Sequence, residues 1–179
     1  DLFHVVSAIT TTGYSLSDLG QATEGRKAML ILLMFIGGGA GSTAGGFKIL
    51  RLLILLKVVR WMTLQQVLPT EARISISVGG TTVSSRQLRE VLSILALLLL
   101  LCATATLAFT LAGHRFVDAL FDVVSAVSTV GLSSGVISPD LPVWQKALVM
   151  VLMWAGRLEV VPLLILFFPA VYTPQRSNR

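Results

Sequence analysis

Hydrophobic positions along this chain fall into long runs rather than alternating with polar ones. Residues Val91 to Ala112 carry no charged side chain over 22 positions, and about 20 apolar residues suffice for a helix to cross the hydrocarbon core of a membrane. A second run, Ala147 to Pro169, is as long but contains Arg157 and Glu159. A third run, Ala28 to Leu56, is interrupted by glycines. The pattern predicts an all-α polytopic membrane protein.

Two shorter apolar stretches repeat one another. Residues 2–15 read LFHVVSAITTTGYS and residues 120–133 read LFDVVSAVSTVGLS, which are identical at nine of fourteen positions. A helix of ten or eleven residues rises about 15 to 17 Å, roughly half the hydrocarbon thickness, so it enters a membrane without crossing it. We therefore predict two pore helices, at 1–10 and 117–128, each feeding an ion filter, at 11–15 and 129–133.

The Thr-rich segments with one glycine each are the candidate filters. The negative end of a helix dipole would point at an ion there, and irregular backbone at that depth is tolerated where it lines water. Potassium channels use carbonyl rings of this kind, and their TVGYG motif matches the second segment for three residues. The alternative is a Thr-Gly turn that ends an ordinary buried helix. The predicted filter residues are Thr11, Thr12, Gly13, Tyr14, Thr129, Val130, Gly131 and Leu132.

A glycine cluster lies in the middle of the third apolar run. Glycine costs about 1 kcal/mol relative to alanine inside a helix, so the helix predicted at 26–62 should break at 37–46. A phosphate-binding loop is excluded because Phe47 occupies the position of its lysine. Close helix packing through glycines four residues apart remains an alternative. We interpret the segment as a mobile gate beneath the filter, formed by Gly37, Gly38, Gly39, Gly41, Ser42, Thr43, Gly45 and Gly46.

Two charged residues, Arg157 and Glu159, lie near the middle of the last apolar run. An ionised arginine there costs at least about 3 kcal/mol on insertion, so it should face water or a partner. Residues two apart on a helix do not face each other. We interpret the pair as a barrier to cations in the pore, and a buried ion pair with another repeat is the alternative.

The order of these elements predicts two parallel repeats of helix, pore loop and helix. The first repeat, 1–62, lacks its leading helix, and the second, 86–172, contains helix 86–112, its pore loop and helix 142–170. The cytoplasmic connection 63–85 should contain a small β-hairpin, with strands around Ile76 and Thr81 that flank Gly79-Gly80. Ser85 is the expected cap of the following helix. A cytoplasmic tail, 173–179, ends the chain.

Composition and charge then orient the chain. It is 54% hydrophobic and 13% charged, against about 25% charged in soluble domains. Residues 48–90 and the tail after Pro169 carry a net charge of +7, whereas the other loops sum to −2. The excess of Lys and Arg places the first set in the cytoplasm, so both filters face outward beneath an acidic vestibule.

Several classes of protein are excluded by the same composition. The positive charge flanks membrane spans, which argues against a nucleic-acid binder. No nucleophile with a base and no metal-ligand set can be assembled, so we do not expect an enzyme. The single cysteine, Cys102, excludes an intrachain disulfide. The chain starts at Asp1, and we expect it to belong to a longer protein.

The segments AITTTGYS, FIGGGAGSTAGGFKILR, VGGTTVS and WAGRLEVVPLLILF resemble the Trk/Ktr/HKT superfamily of potassium transporters, closest to the bacterial Trk membrane subunit. The resemblance implies four repeats around one pore, of which this chain holds the third without its first helix and the complete fourth. It also implies a filter glycine at Gly13 and Gly131, an intramembrane gate at 37–46, and a pore arginine at Arg157.

The same resemblance implies K⁺ as the transported ion and uptake across the plasma membrane, the inner membrane in bacteria. The implied partners are the missing N-terminal repeats, a second copy in a homodimer, membrane lipid, and cytoplasmic regulatory subunits of the TrkA type that bind the nucleotide. Two alternatives remain open, namely a poorly selective Na⁺/K⁺ pathway and a non-conducting membrane scaffold or sensor.

Overall fold

The computed structural model describes residues 2–39, 42, 45–67, 77–78 and 81–158. Within these ranges the chain forms six helices and one pair of short strands. In chain order they are α1 (Leu2–Ile9), α2 (Glu24–Ile36), α3 (Ile49–Val67), β1 (Ser77–Val78), β2 (Thr81–Thr82), α4 (Ser85–Leu111), α5 (Phe116–Val127) and α6 (Val143–Leu158).

Helix α5 lies at the centre of the packing. It contacts α2, α4 and α6, and eight of its twelve residues are buried. Its sequence, FVDALFDVVSAV, is apolar on nearly every face, as expected for a helix enclosed by others. The matching helix of the first repeat, α1, packs on α2 and buries only three of its eight residues.

The third apolar run of the sequence is divided into α2 and α3, which are separated by residues 37–48. The chain doubles back between the two helices. Phe47 donates its backbone N–H to the carbonyl of Phe35 at 3.0 Å, and Lys48 donates to that of Ile36 at 2.9 Å. Gly37 begins the reversal in the left-handed region, at φ +67°, where glycine carries no steric penalty.

Helix α4 has 27 residues, which corresponds to a length of about 40 Å. Among the described helices it is the one that is long and apolar enough to cross a membrane, judged by length and composition. The expectation that Ser85 caps this helix is wrong, because Ser84 is the N-cap. Ser84 Oγ accepts from the N–H of Gln87 at 3.3 Å while its own N–H donates to Gln87 Oε1 at 2.9 Å. This capping box requires a Gln three residues after the cap, which selects Ser84.

The two strands pair antiparallel, with Ser77 opposite Thr82 and Val78 opposite Thr81. They lie where the sequence places its hairpin. The turn residues Gly79 and Gly80 fall outside the described residues, as does Ile76, so the form of the turn remains a prediction. The end of the helix predicted at 142–170 and the tail 173–179 also lie outside the described part of the chain, which stops at residue 158.

A buried ion pair joins the two repeats at one end of the bundle. Lys27 on α2 is 2% exposed, and its Nζ lies 2.6 Å from Asp118 Oδ1 in the first turn of α5. The same ammonium donates to the carbonyl of Gly20 at 2.8 Å. Arg115 lies 3.9 Å from the other oxygen of Asp118. A buried charge of this kind is tolerated because it is paired and hydrogen-bonded.

We expect Lys27→Met to destabilise the full-length protein by about 3 kcal/mol, since it leaves the largely buried Asp118 carboxylate with only the more distant Arg115 as a charge partner. Adding Asp118→Asn should recover part of the loss. The matched control is Arg86→Ala, which breaks the exposed pair with Glu90 and should cost less than about 0.5 kcal/mol. Chemical unfolding in detergent measures the free energies of unfolding. Equal losses for Lys27→Met and Arg86→Ala would contradict a stabilising role for the buried ion pair.

Candidate ion pathway

The two segments that follow α1 and α5 have the same backbone conformation. Thr11 and Thr129, which match in the repeat, have φ values of 53° and 54°. Gly13 and Gly131, two residues later, have φ values of 78° and 95°. The sequence repeat at 2–15 and 120–133 is therefore a structural repeat, with each helix ending in the same sharp turn.

Hydrogen bonds after the two helices also match. Thr12 donates its N–H to the carbonyl of Ser7 at 3.0 Å, and Val130 donates to that of Ser125 at 2.9 Å. Both serines are buried, and their hydroxyls bond to the predicted filter segments. Ser7 Oγ donates to the carbonyl of Tyr14 at 2.8 Å, whereas Ser125 Oγ accepts from the N–H of Gly131 at 3.1 Å. Sequence reasoning assigned these serines no role, although both copies carry serine there.

The left-handed threonines store conformational strain. A β-branched residue at positive φ is a steric outlier, and such a residue costs on the order of 1 to 3 kcal/mol unless its surroundings impose it. Here the strain occurs twice, at Thr11 and Thr129. Strain of this kind clusters at functional sites, so these turns are the leading candidates for a site.

The two segments lie against each other. A Cβ added to Gly13 would meet the carbonyl oxygen of Val130, and one added to Gly131 would lie 3.9 Å from the Cα of Gly13. Tyr14 is exposed, whereas its counterpart Leu132 is buried. The structure thus brings the two predicted filters together as neighbours, each at the carboxyl end of a helix.

The glycine-rich loop contacts the second of these segments. Gly45 donates its N–H to Thr129 Oγ1 at 3.1 Å, and a Cβ on Gly45 would lie 2.8 Å from the carbonyl carbon and oxygen of Ser128. Of the residues predicted to form the gate, Gly41 and Thr43 lie outside the described residues. The others are described, and they place the loop directly against the end of α5.

Helix α6 approaches the same point. A Cβ on Gly156 would collide with the carbonyl oxygen of Val127, the last residue of α5. The sequence gives no signal that singles out Gly156, because a lone glycine in a helix does not reveal which backbone packs against it. Arg157, the next residue, is exposed. Its predicted companion Glu159 lies outside the described residues, so their joint action as a barrier stays a prediction.

This chain is similar in sequence to known transport proteins. The family described as TrkH, cation transport protein, matches residues 1–178. An uncharacterized cation transporter of Methanocaldococcus jannaschii is 37% identical over 166 residues, covering 93% of this chain and 35% of the relative. The Trk system potassium uptake protein TrkH of Escherichia coli K12 is 32% identical over 174 residues, covering 95% of this chain and 36% of the relative.

The fold has a solved counterpart as well. The crystal structure of the potassium transporter TrkH from Vibrio parahaemolyticus matches with a TM-score of 0.81 at 30% identity, over 96% of this chain and 37% of that one. This chain spans about a third of the length of the curated relatives it matches. The all-helical arrangement and the match over nearly every residue lead to one conclusion: the chain belongs to the TrkH family of cation transport proteins.

Proposed function

We propose that this chain supplies two filter segments and the gate of a protein that takes up potassium across the plasma membrane. The observation that carries the proposal is the paired turn at the ends of α1 and α5, where two strained threonines and two left-handed glycines adopt one conformation side by side. The names of the relatives, which include Trk potassium uptake proteins, support K⁺ as the ion. Backbone carbonyls of residues 11–14 and 129–132 would replace its hydration shell.

A membrane setting is supported by the surface of the helices. Large apolar side chains are exposed on the uncharged part of α4, residues 91–111, among them Leu99, Leu100 and Leu107. Contiguous exposed apolar surface marks contact with lipid or another protein. The charge distribution along the sequence supports a topology in which both filters face outward, above a gate and the pore arginine Arg157.

The gate proposal is supported by the bond between Gly45 and Thr129, because it joins the loop to the filter itself. Movement of the loop away from the pore axis would break this bond, so filter and gate would respond to one another. The proposed whole protein contains further repeats, forms a homodimer and binds cytoplasmic regulatory subunits that carry the nucleotide. These partners are supported by the family resemblance.

The filter assignment is tested by two glycines with similar positive φ values. Gly131 and Gly135 have φ values of 95° and 98°, and neither would place an added Cβ within 3.4 Å of a neighbour. Gly131→Ala and Gly135→Ala therefore carry a similar conformational cost, about 1 to 2 kcal/mol. In liposomes with the full-length protein, we expect Gly131→Ala alone to lower the K⁺/Na⁺ flux ratio, by roughly tenfold.

The control for this test is Gly135→Ala, which should keep the wild-type flux ratio. A Gly131→Asp variant that retains potassium selectivity would contradict the filter assignment. A wild-type protein that passes Na⁺ as readily as K⁺ would favour the poorly selective pathway.

The gate is tested by two glycines of the same loop. A Cβ at Gly45 would press against Ser128, whereas one at Gly39 would meet nothing within 4 Å. We expect Gly45→Ala to displace the loop and raise K⁺ flux several-fold, with Gly39→Ala near wild type. Deleting 37–46 should raise flux further. Unchanged flux in the Gly45→Ala and deletion proteins would favour a packing role for the glycines.

The proposed transport is separated from a scaffold or sensor role by growth. We expect the full-length gene to restore growth on low potassium to a cell that lacks its own potassium uptake. The Gly13→Ala variant should fail, because its Cβ collides with the Val130 carbonyl and its backbone is left-handed. Normal membrane insertion without rescue by the wild-type gene would indicate a non-conducting protein.

A further inference from the structure

Matching positions of the two pore helices carry different polar residues, His4 on α1 and Asp122 on α5. Both side chains are buried, at 4% and 1% exposure. A buried polar side chain is stable only when it is hydrogen-bonded. In both repeats a hydrogen-bond partner lies in the loop that follows the proposed filter segment, and the sequence alone assigned neither residue a role.

Asp122 accepts four hydrogen bonds from this loop. Its Oδ1 accepts from the N–H and the hydroxyl of Ser134, at 2.6 and 2.9 Å. Its Oδ2 accepts from the hydroxyl of Ser133 at 2.8 Å and from the N–H of Ile137 at 2.8 Å. Within residues 81–158 and the other described ranges, no basic side chain is ion-paired with Asp122, so these four donors satisfy the carboxylate.

His4 makes the corresponding contact in the first repeat. Its Nε2 accepts from the N–H of Leu16 at 3.3 Å, and Leu16 occupies the position that Ser134 holds in the second repeat. Its Nδ1 lies 3.1 Å from Nη2 of Arg26, also a donor. A neutral imidazole has one acceptor nitrogen, so it can accept a hydrogen bond from only one of these two donors at a time.

We propose that Asp122 and His4 are positioning residues, which tie the loop after each filter glycine to the pore helix before it and so fix the spacing of the filter carbonyls. This inference rests on the proposed function, and it identifies the hydrogen bonds that hold the backbone of the proposed filter in place. Each tie closes a loop from helix to filter and back, so a filter segment cannot shift without breaking it. The second repeat has four bonds against one in the first, which makes 129–132 the more firmly held segment.

Loss of these hydrogen bonds and loss of a negative charge should have different effects on transport. A negative charge near the pore mouth attracts K⁺ and Na⁺ alike, whereas the spacing of carbonyls distinguishes the two ions. The ratio of K⁺ to Na⁺ flux therefore reports position rather than charge. Amide hydrogen exchange of residues 133–137 reports the tie directly, whether or not the protein conducts.

The first experiment compares Asp122→Asn with Asp140→Asn in the full-length protein. The asparagine at 122 places an NH₂ group against donors, so at least one tie is lost. We expect its K⁺/Na⁺ flux ratio to fall about tenfold and exchange at 133–137 to rise at least tenfold. Asp140 is exposed in the outer loop, and its variant removes the same charge while keeping the wild-type ratio and exchange. Equal flux ratios for the two variants would overturn the proposal.

A second set of variants keeps the test independent of misfolding. Ser133→Ala removes one donor to Asp122 from an exposed residue and should lower the flux ratio by a smaller factor. In the first repeat, His4→Phe removes the acceptor and should lower the ratio, whereas His4→Gln keeps an acceptor oxygen and should restore it. Identical ratios for His4→Phe and His4→Gln would overturn the role of His4.

The outcomes separate this inference from the proposed function. A wild-type protein that transports neither ion contradicts the proposed function, and hydrogen exchange in Asp122→Asn then decides the tie alone. A wild-type protein that selects K⁺, with unchanged selectivity and exchange in Asp122→Asn, supports the function and overturns the tie.

Discussion

The structure depends on close backbone contact at the carboxyl end of α5. Three glycines from three different segments meet residues 127–130 there: Gly156 of α6 at Val127, Gly45 of the glycine loop at Ser128 and Thr129, and Gly13 of the first predicted filter segment at Val130. At each contact a Cβ would lie within 3 Å of a carbonyl oxygen or collide with it. Since interiors pack as densely as organic crystals, a methyl group at any of these positions would push the contacting backbone segments apart.

This convergence explains why a helix as short as α5 is the centre of the molecule. Eight of its residues are buried, and the strained Thr129 lies in the turn that follows the end of the helix at Val127. Strain persists only where the surroundings determine the backbone. The Ser125 hydroxyl, the Gly45 amide and the Asp122 carboxylate all bond to this turn or to the loop after it. In the first repeat, α1 is more exposed and has fewer such bonds, although its turn has the same shape.

The sequence signals for the individual elements are local. Runs of apolar residues, the repeat and the glycine cluster each depend on neighbours along the chain, and the helices and the break at 37–48 lie where those signals are. The cap of α4 was placed one residue late, since Ser84 and Ser85 look alike until Gln87 selects between them. The ion pair between Lys27 and Asp118 was missed, because its partners are 91 residues apart and each resembles an ordinary charge of the outer loops.

The sequence by itself determined which segments are apolar, which segments repeat and which residues could line an ion path. These properties follow from composition and periodicity, which need no knowledge of distant contacts. The tertiary structure decided which glycines have no room for a Cβ and which polar side chains bond to the segments after α1 and α5. In the sequence, Gly39 and Gly45 are two similar glycines of one loop. In the structure, a Cβ would have open space at Gly39 but would clash with the backbone at Gly45. Likewise, only the folded chain shows that the Asp122 carboxylate is buried and accepts four hydrogen bonds from residues 133–137.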